Sequence, residues 1–475
     1  HGWYMSDVSF YPTELPQYAL LEGVLGLHAQ TAHVAAAMTY TLAFLLAVLL
    51  ARSGSSGRAA AVRTLVAAGI MLAPQLGPGV FALDLSVGHI GTSVPLLLAW
   101  LLLDKAAPRW YVPVLTAVLL AWVLVADDIT YVVGIAPLGL VCAARVLHGL
   151  AAGTGHWTQR VAGRRYDLAL GAAAAAAAGL AWAADRVLRD LGGFVVNKLP
   201  FYFTPWRQLR GNAPAAWKVL QIYGADWAGT SGVQLALAVL HLASVLAVLL
   251  AVLLVVVRFF SPGRPVALVD QVLAVAIAGN VALYLLTNAA DLAAHEVAVI
   301  VPSGAALASR MLVHGAGVPR CGLPAARPAR RAALAGWLLV LAGYAAGLGY
   351  DITQPPVPPA HAALASWLLA HRLSYGLSGY WTSSIVTVDS GERVEVRALA
   401  KKNLAKDLWM ADSTWYDPAR HYANFVVTDS QPGGFSYWEP RALIRKYFGT
   451  PARTYHAGPY TIMVWHKNLL DDIPR

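Results

Sequence analysis

Residues 231–257 read SGVQLALAVLHLASVLAVLLAVLLVVV, a run without a single charged side chain. An α-helix needs about 20 mostly apolar residues to cross the hydrocarbon core of a bilayer. This run meets that requirement and therefore predicts a membrane-spanning helix.

Nine further runs are apolar and of comparable length, although several are short or interrupted by Gly and Pro. The ten predicted spans are 33–51, 64–82, 88–103, 110–126, 129–145, 167–185, 231–257, 266–288, 294–313 and 332–350. The predicted fold is mainly α, a polytopic transmembrane helical bundle. The sequence begins without Met or a signal sequence, so we expect one more helix before residue 1, which would make eleven spans.

The composition supports a lipid environment. Of the 475 residues, 58% are hydrophobic and 13% are charged, about half the charged fraction of an average soluble protein. This excludes a cytosolic enzyme and a disordered scaffold. The net charge of +10 does not indicate a nucleic-acid partner, because the charges of both signs are concentrated in one part of the chain: 13 basic and 11 acidic residues lie in the last 125.

The charge distribution predicts three parts. Residues 1–32 form a first loop, 33–350 a transmembrane domain, and 351–475 a soluble α+β domain that follows the proline-rich segment 355–359. In the last part we predict helices at 360–373 and 439–448, and strands at 383–389, 393–399, 421–428 and 454–466. The two cysteines, Cys142 and Cys321, are too few for a disulfide framework or a thiolate metal site.

The basic residues predict the orientation in the membrane. Sixteen of them fall in five alternate loops, 52–63, 104–109, 145–166, 258–265 and 310–331, with Asp104 as the only acidic residue of those loops. Cytoplasmic loops carry such an excess of Lys and Arg. Residues 1–32 and 351–475 are then extracytoplasmic, and we expect a multi-pass protein of the plasma membrane.

The long loop 186–230 lies on the predicted outer side. It mixes eight aromatic residues with six basic ones, a composition typical of segments at the headgroup level of a bilayer. The loop is either an interfacial anchor or the place where the head of a lipid substrate is held. For the second case, the candidate phosphate ligands are Lys198, Arg207 and Arg210.

Acidic residues cluster on the same outer side, in a protein that has few of them. Asp7 and Glu14 lie in the first loop, with Tyr11 between them. A carboxylate that faces a membrane-embedded cavity can accept a proton from a hydroxyl group, as a general base must. A solvated loop is the alternative.

A second group surrounds a glycine-rich turn. Asp84 and His89 lie close together in the chain, and His89 is followed by Gly91 and Thr92. Glycine lets the backbone approach a ligand closely, and a histidine near an acid can shuttle a proton, bind a hydroxyl or ligate a metal. A structural histidine that caps the next helix is an equal alternative.

Two further pairs are candidates for substrate binding. Asp127 and Asp128 separate two spans; they either cap the next helix or recognise sugar hydroxyls or a divalent cation. His295 and Glu296 begin a later predicted span. Arg310, near the other end of that span, is interpreted as a residue that orients the helix and not as a catalytic one.

The order of these features resembles the GT-C class of integral membrane glycosyltransferases, which includes protein O-mannosyltransferases and aminoarabinose transferases. The resemblance rests on Asp7-x-x-x-Tyr11-Pro12-Thr13-Glu14 in the first loop, on Gly88-His89-Ile90-Gly91-Thr92, and on the long outer loop and terminal domain. It looks most like uncharacterised actinobacterial-type members of the class. Where many members carry an Arg-Tyr pair, this chain has His295-Glu296.

The resemblance implies an activity and a set of roles. Class members transfer a sugar from a polyprenyl-phosphate carrier to an acceptor at the outer face, and an acid of the first loop is the catalytic base. Asp7 matches by position, with Glu14 in reserve. The implied donor is a polyprenyl-phosphate sugar, the acceptor is a glycan, lipid or protein of the cell envelope, and a divalent metal is possible.

Two other functions stay open at this stage. A transporter or flippase for a lipid-linked substrate would carry inverted repeats and midplane polar sites, and we find no repeat. A non-catalytic assembly subunit of the cell wall would use its terminal domain to bind polymer and would tolerate loss of Asp7 and Glu14.

Overall fold

The computed structural model describes residues 2–75, 88–152, 156–261, 266–314, 318–319, 327–355, 361–431, 434 and 436–474. Most of the proline-rich segment 355–359, together with Asp84 and Cys321, lies outside the described residues. The first half of the chain forms the helices α1 (Glu14–Leu25), α2 (Ala29–Arg52), α3 (Gly57–Met71), α4 (His89–Lys105), α5 (Tyr111–Ala126), α6 (Ala136–Ala152), α7 (Trp157–Ala162), α8 (Arg165–Asp190) and α9 (Ala213–Gln221). The second half forms α10 (Gly232–Phe260), α11 (Leu268–Leu286), α12 (Ile300–Leu312), α13 (Arg327–Ile352), α14 (Ala362–Ala370), α15 (Tyr380–Asp389) and α16 (Arg441–Phe448).

The chain is mainly helical, and six helices of the described part are long and apolar enough to cross a membrane. They are Ala29–Arg52, Tyr131–Ala151, Arg165–Asp190, Gly232–Phe260, Leu268–Leu286 and Ala335–Ile352. Each coincides with a predicted span, because the length of an uncharged run is enough to identify such a helix. The total of ten spans stays a prediction.

One predicted span differs clearly from a simple transmembrane helix. Residues 294–313 begin with a 3-10 turn, Ala294–Val297, and continue as the 13-residue helix α12. At 1.5 Å per residue this helix is about 20 Å long, and nearly all of its residues are buried. It is the central helix of the bundle, in contact with α2, α3, α10 and α11.

A buried ionic group joins four helices at one end of the bundle. The Arg310 guanidinium donates to Asp104 of α4 at 2.8 Å and to Asp270 of α11 at 2.5 Å. It also donates to the Leu50 carbonyl oxygen of α2 at 3.1 Å. Arg310 therefore has a structural role, because both acids neutralise it inside the protein; its role in orienting the helix stays a prediction.

The opposite end brings together three segments that are far apart in the sequence. Strand β1 (Trp3–Met5) pairs in parallel with β2 (Val195–Val196) and antiparallel with β7 (Ala411–Asp412). The Asn197 amide donates to the Met5 and Leu408 carbonyl oxygens, both at 2.7 Å. The first loop, the long loop 186–230 and the terminal part of the chain thus share one end of the molecule, as their common side in the predicted orientation requires.

The terminal part contains a five-stranded sheet in the order β6-β5-β8-β10-β9. Its strands are β5 (Tyr375–Ser378), β6 (Glu395–Ala398), β8 (Phe425–Asp429), β9 (Arg453–Ala457) and β10 (Tyr460–Val464); a two-stranded ribbon, β3 (Val313–His314) and β4 (Val318–Pro319), lies outside it. The parallel β5–β6 pair connects through helix α15. The predicted strand at 393–399 contains β6, and the one at 421–428 overlaps all of β8 except its last residue.

Two strand predictions in this region were wrong. Residues 383–389 belong to helix α15, where the Ser383 and Thr387 hydroxyls donate to the carbonyl oxygens three and four residues earlier. These bonds satisfy the polar side chains within the helix, and its buried valine packs on the sheet. Residues 454–466 form a hairpin and not one strand, because the chain turns at Gly458, whose φ of 59° favours glycine.

The Arg310 group supplies a stability prediction. Arg310→Ala removes the hydrogen-bonded counter-charge of the largely buried Asp104 and Asp270 and leaves the more distant Arg63 as their cation, and we expect it to reduce the free energy of unfolding by about 3–5 kcal/mol. Thermal unfolding of the detergent-solubilised protein measures this. Arg186→Ala is the control, because the Arg186–Asp190 pair is exposed and is worth less than about 1 kcal/mol. Equal effects of the two substitutions would contradict the prediction.

Candidate functional site

A cavity of about 540 Å³ lies at the end of the bundle where the first loop and the long loop meet. Its polar wall includes Asp7, His89, Asp127 and Glu296. Its other wall is apolar and includes the side chains Val132, Leu199, Phe201, Leu283 and Leu292. The cavity therefore has a few ionisable groups and an apolar surface that can contact a hydrocarbon chain.

His89 is at the centre of the polar wall. Its Nδ1 lies 2.7 Å from Asp127 Oδ2, and its Nε2 lies 3.1 Å from Glu296 Oε2. The imidazole is buried. An imidazole that donates from both nitrogens carries a positive charge, and two carboxylates are present to balance it.

Local structure explains why Asp127 is available for this contact. The residue follows the last turn of α5, where its Oδ1 accepts the Ile129 N–H at 3.0 Å. Its Oδ2 accepts both His89 and the Thr92 hydroxyl. Burial opposes ionisation of Asp127, but His89 and these hydrogen bonds outweigh it and lower its pKa. Asp127 thus makes the predicted capping contact and also lines the cavity; its recognition of sugar hydroxyls or a cation stays a prediction.

The first loop is fixed beside Asp127. The Phe10 N–H donates to the Ala126 carbonyl oxygen at 3.0 Å, and the Ser9 hydroxyl donates to the Val125 carbonyl oxygen at 2.6 Å. Asp7 thereby reaches the cavity. Its pKa is raised, chiefly by burial and next by the nearby Glu296 carboxylate, as a base that works near neutrality requires.

Glu14 is close by but has a different environment. It is buried against Gly91, where an added Cβ would lie 1.9 Å from its Oε1. Burial raises the pKa of Glu14 to about 8, and its other oxygen accepts the Thr13 hydroxyl. Gly91 was predicted to let a ligand approach the backbone closely. Its missing side chain instead leaves room for Glu14. Glu14 does not line the cavity.

The predicted phosphate ligands separate into two places. Lys198 lines the cavity mouth and forms an ion pair with Asp128. Arg207 and Arg210 are exposed in a 3-10 helix of the long loop and do not line the cavity. The structure therefore brings one of the three predicted cations to the site.

Three candidate residues remain: Tyr11, His295 and Asp84. Tyr11 is exposed and contacts the Phe194 ring at 5.0 Å, outside the cavity lining. His295 stacks on His89 with 5.7 Å between ring centroids. Asp84 lies outside the described residues.

Helix α11 also lines the cavity, and the sequence-based prediction did not include it. Asn280 lines the cavity, is only 4% exposed, and its Nδ2 has no partner in the described part of the chain. Tyr284 and Thr287 follow on the same wall. An asparagine in the apolar run 266–288 is the signal that could have identified this wall, because polar groups at membrane depth are costly.

The arrangement can bind a hydroxyl compound and remove a proton from it. Asp7 offers a carboxylate beside a buried imidazolium, and Asn280 offers an unsatisfied donor. Lys198 at the mouth can contact an anion if that anion displaces Asp128. Such a set suits acid–base chemistry on a polar group that is attached to an apolar one.

The comparisons with known proteins supply no relative. No protein-family model matches the chain, and neither a curated protein nor a solved structure matches it. The site is therefore interpreted from its own chemistry.

Glu14 predicts a pH dependence of stability. Because its pKa rises from 4.5 in the unfolded chain to about 8 in the folded protein, the folded state binds more protons between these values. Its contribution to stability is then greatest below about pH 4.5 and is lost as the pH rises toward 8. Melting temperatures from pH 5 to 8 measure this. Glu14→Gln should flatten the profile relative to wild type, and an unchanged slope would contradict the assignment.

Proposed function

We propose that this chain is an integral membrane glycosyltransferase of GT-C type. It moves a sugar from a polyprenyl-phosphate carrier to an acceptor hydroxyl at the extracytoplasmic face of the plasma membrane. The observation that supports it best is the cavity, whose lining combines the Asp7 carboxylate and the buried His89 with a set of apolar side chains. The proposal includes the predicted multi-span topology and a role in building the cell envelope.

The two walls of the cavity correspond to the two parts of such a donor. A polyprenyl chain is a hydrocarbon and gains by burial against Leu199, Phe201 and Leu283. The sugar and phosphate are polar and need hydrogen-bond donors and a cation, which Asn280 and Lys198 supply. A nucleotide site is not required, because the sugar–phosphate bond of the carrier is already activated.

The proposed reaction is a displacement at the anomeric carbon. Asp7 accepts the proton of the acceptor hydroxyl as its oxygen bonds to this carbon. The bond from the carbon to the phosphate oxygen breaks, and the polyprenyl phosphate leaves with the electron pair. Lys198 near the phosphate stabilises the charge that develops on the leaving group.

The direct test begins with the purified protein in detergent. Mass spectrometry identifies a co-purifying polyprenyl-phosphate sugar, and a panel of polyprenyl-phosphate hexoses and pentoses then measures release of the carrier phosphate with glycan, lipid and protein acceptors. Turnover supports the transferase. Binding of the lipid without turnover of any sugar would favour a transporter, and the absence of both would favour the assembly subunit.

Asp7→Asn tests the base. We expect turnover to fall by about 10²–10⁴-fold, because the amide cannot accept the proton, while binding of the lipid donor is nearly unchanged. Asp190→Asn is the matched control: it makes the same substitution at an exposed acid outside the cavity. Full activity of Asp7→Asn would refute the assignment.

Lys198→Ala tests the phosphate contact. We expect donor affinity to fall about tenfold or more, the value of one charge-assisted hydrogen bond. The double substitution Arg207→Ala with Arg210→Ala should have a smaller effect, since both side chains lie outside the cavity lining. Titration of a labelled polyprenyl phosphate compares the variants, and a larger effect of the double substitution would move the phosphate from Lys198 to the 3-10 helix Trp206–Asn212.

A further inference from the structure

We propose that His89, His295 and Glu296 form a binding site for one divalent transition-metal ion, with Zn²⁺ as the best-fitting ion. Each of the three residues offers a ligand atom, and these atoms lie within 4.8 Å of one another. The site itself rests on this geometry. Only its role toward a donor phosphate rests on the proposed function.

The separations suit a small ion. His89 Nε2 lies 3.1 Å from Glu296 Oε2, and His295 Nε2 lies 3.6 Å from Glu296 Oε1. Tetrahedral ligands at the usual zinc distances are about 3.4 Å apart. An ion could enter between them by displacing the proton that Nε2 and Oε2 share, with small movements of the side chains.

The ligand types favour zinc. Two imidazoles and one carboxylate with an open fourth position form the set found in catalytic zinc sites. Mg²⁺ prefers an octahedron of oxygen ligands and binds imidazole poorly. The fourth position would face the cavity, which His89 and Glu296 both line.

A second contact orients the central ligand. Asp127 accepts from His89 Nδ1 at 2.7 Å and so directs Nε2 toward Glu296 and the cavity. A histidine ligand of a metal usually donates its other ring nitrogen to a carboxylate in this way, which fixes the ring and its tautomer. The Asp127 side chain is held in turn by Thr92 and by the Ile129 N–H.

Two independent features point to a ligand at this place. In the described part of the chain, four acids line the cavity against Lys198 and His89 as the only basic groups, so an added cation would offset an excess of negative charge. Two buried atoms also have no partner among the described residues: the Nδ1 of His295, and the Nδ2 of Asn280, which is 4% exposed and lines the cavity. Asn280 can donate to an oxygen of a molecule bound to the ion.

In the proposed transferase, the ion would have a definite task. An anionic phosphate that enters a cavity lined by four acids is repelled by them. A divalent ion on His89, His295 and Glu296 would reduce this excess of negative charge and hold a phosphate oxygen at its open position. Asp7 would remain free to act on the acceptor.

The test measures the metal directly and without any donor. The tag-free protein in detergent is stripped with a chelator, dialysed against Zn²⁺ in the presence of a weaker chelator, and analysed for bound metal and for its melting temperature. We expect one equivalent of Zn²⁺ and a higher melting temperature. Absence of bound zinc in the wild type would overturn the proposal.

Variants identify the ligands. His295→Ala and Glu296→Gln should each reduce zinc affinity by more than tenfold, and Asp127→Asn by about 10–100-fold through the orientation of His89. His148→Ala is the matched control, because His148 is an exposed histidine that contacts the Phe259 ring, away from the three ligands, and its loss should leave affinity unchanged. His295→Ala and Glu296→Gln proteins that still bind zinc with wild-type affinity would overturn the site.

The metal test and the transferase test fail separately. Zinc bound by wild type and lost in the variants, with no turnover of any carrier, would leave the site and refute the transferase. Turnover by a protein that binds no zinc and is indifferent to chelator would leave the transferase and refute the site.

Discussion

The imidazole of His89 is buried, and the end of the bundle depends on how it is stabilised. Carboxylates from two other segments contact its two nitrogens, Asp127 at the end of α5 and Glu296 in the turn before α12. Removing a partner from a buried charge costs several kcal/mol. The position of the first turn of α4 is thus coupled to the ends of two neighbouring helices, and the cavity takes its shape from that coupling.

A second ionic group at the other end follows the same rule. Arg310 is at the last turns of α12, whose first turns follow Glu296, and it is neutralised by Asp104 and Asp270. The short central helix therefore has an ion-paired group at each end, one of them structural and the other facing the cavity. His89 and Asp104, at the two ends of α4, belong to these two groups, so α4 and α12 are connected at both ends.

The sequence predicted the parts of the fold that depend on composition. Apolar runs identify long helices because crossing a bilayer demands length and lack of charge, and 231–257 shows this most clearly. Strands are less certain: residues 383–389 have β-branched side chains, yet Ser383 and Thr387 satisfy their hydroxyls inside a helix. Periodicity alone does not distinguish these outcomes over seven residues.

The site was predictable in its residue types but not in its pairings. Acids on the predicted outer side of a protein poor in acids are conspicuous, and they indicate Asp7, Asp127 and Glu296; His89 is indicated by its position beside Asp84 in a glycine-rich turn. That His89 contacts both Asp127 and Glu296 depends on helix packing, which a single sequence does not specify. The same holds for Gly91, whose missing side chain leaves room for Glu14, and for Asn280, which the sequence-based prediction did not include.

The three-stranded sheet of β1, β2 and β7 has a consequence for biogenesis. Its strands come from the beginning, the middle and the last quarter of the chain, and the chain emerges from the ribosome from its N-terminus. The segment that carries Asp7 cannot complete its pairing until Ala411 has been synthesised and moved to the same side as Trp3. The bundle can insert helix by helix, but the three-stranded sheet is completed last, and a chain truncated before Ala411 would leave β1 with β2 as its one partner strand.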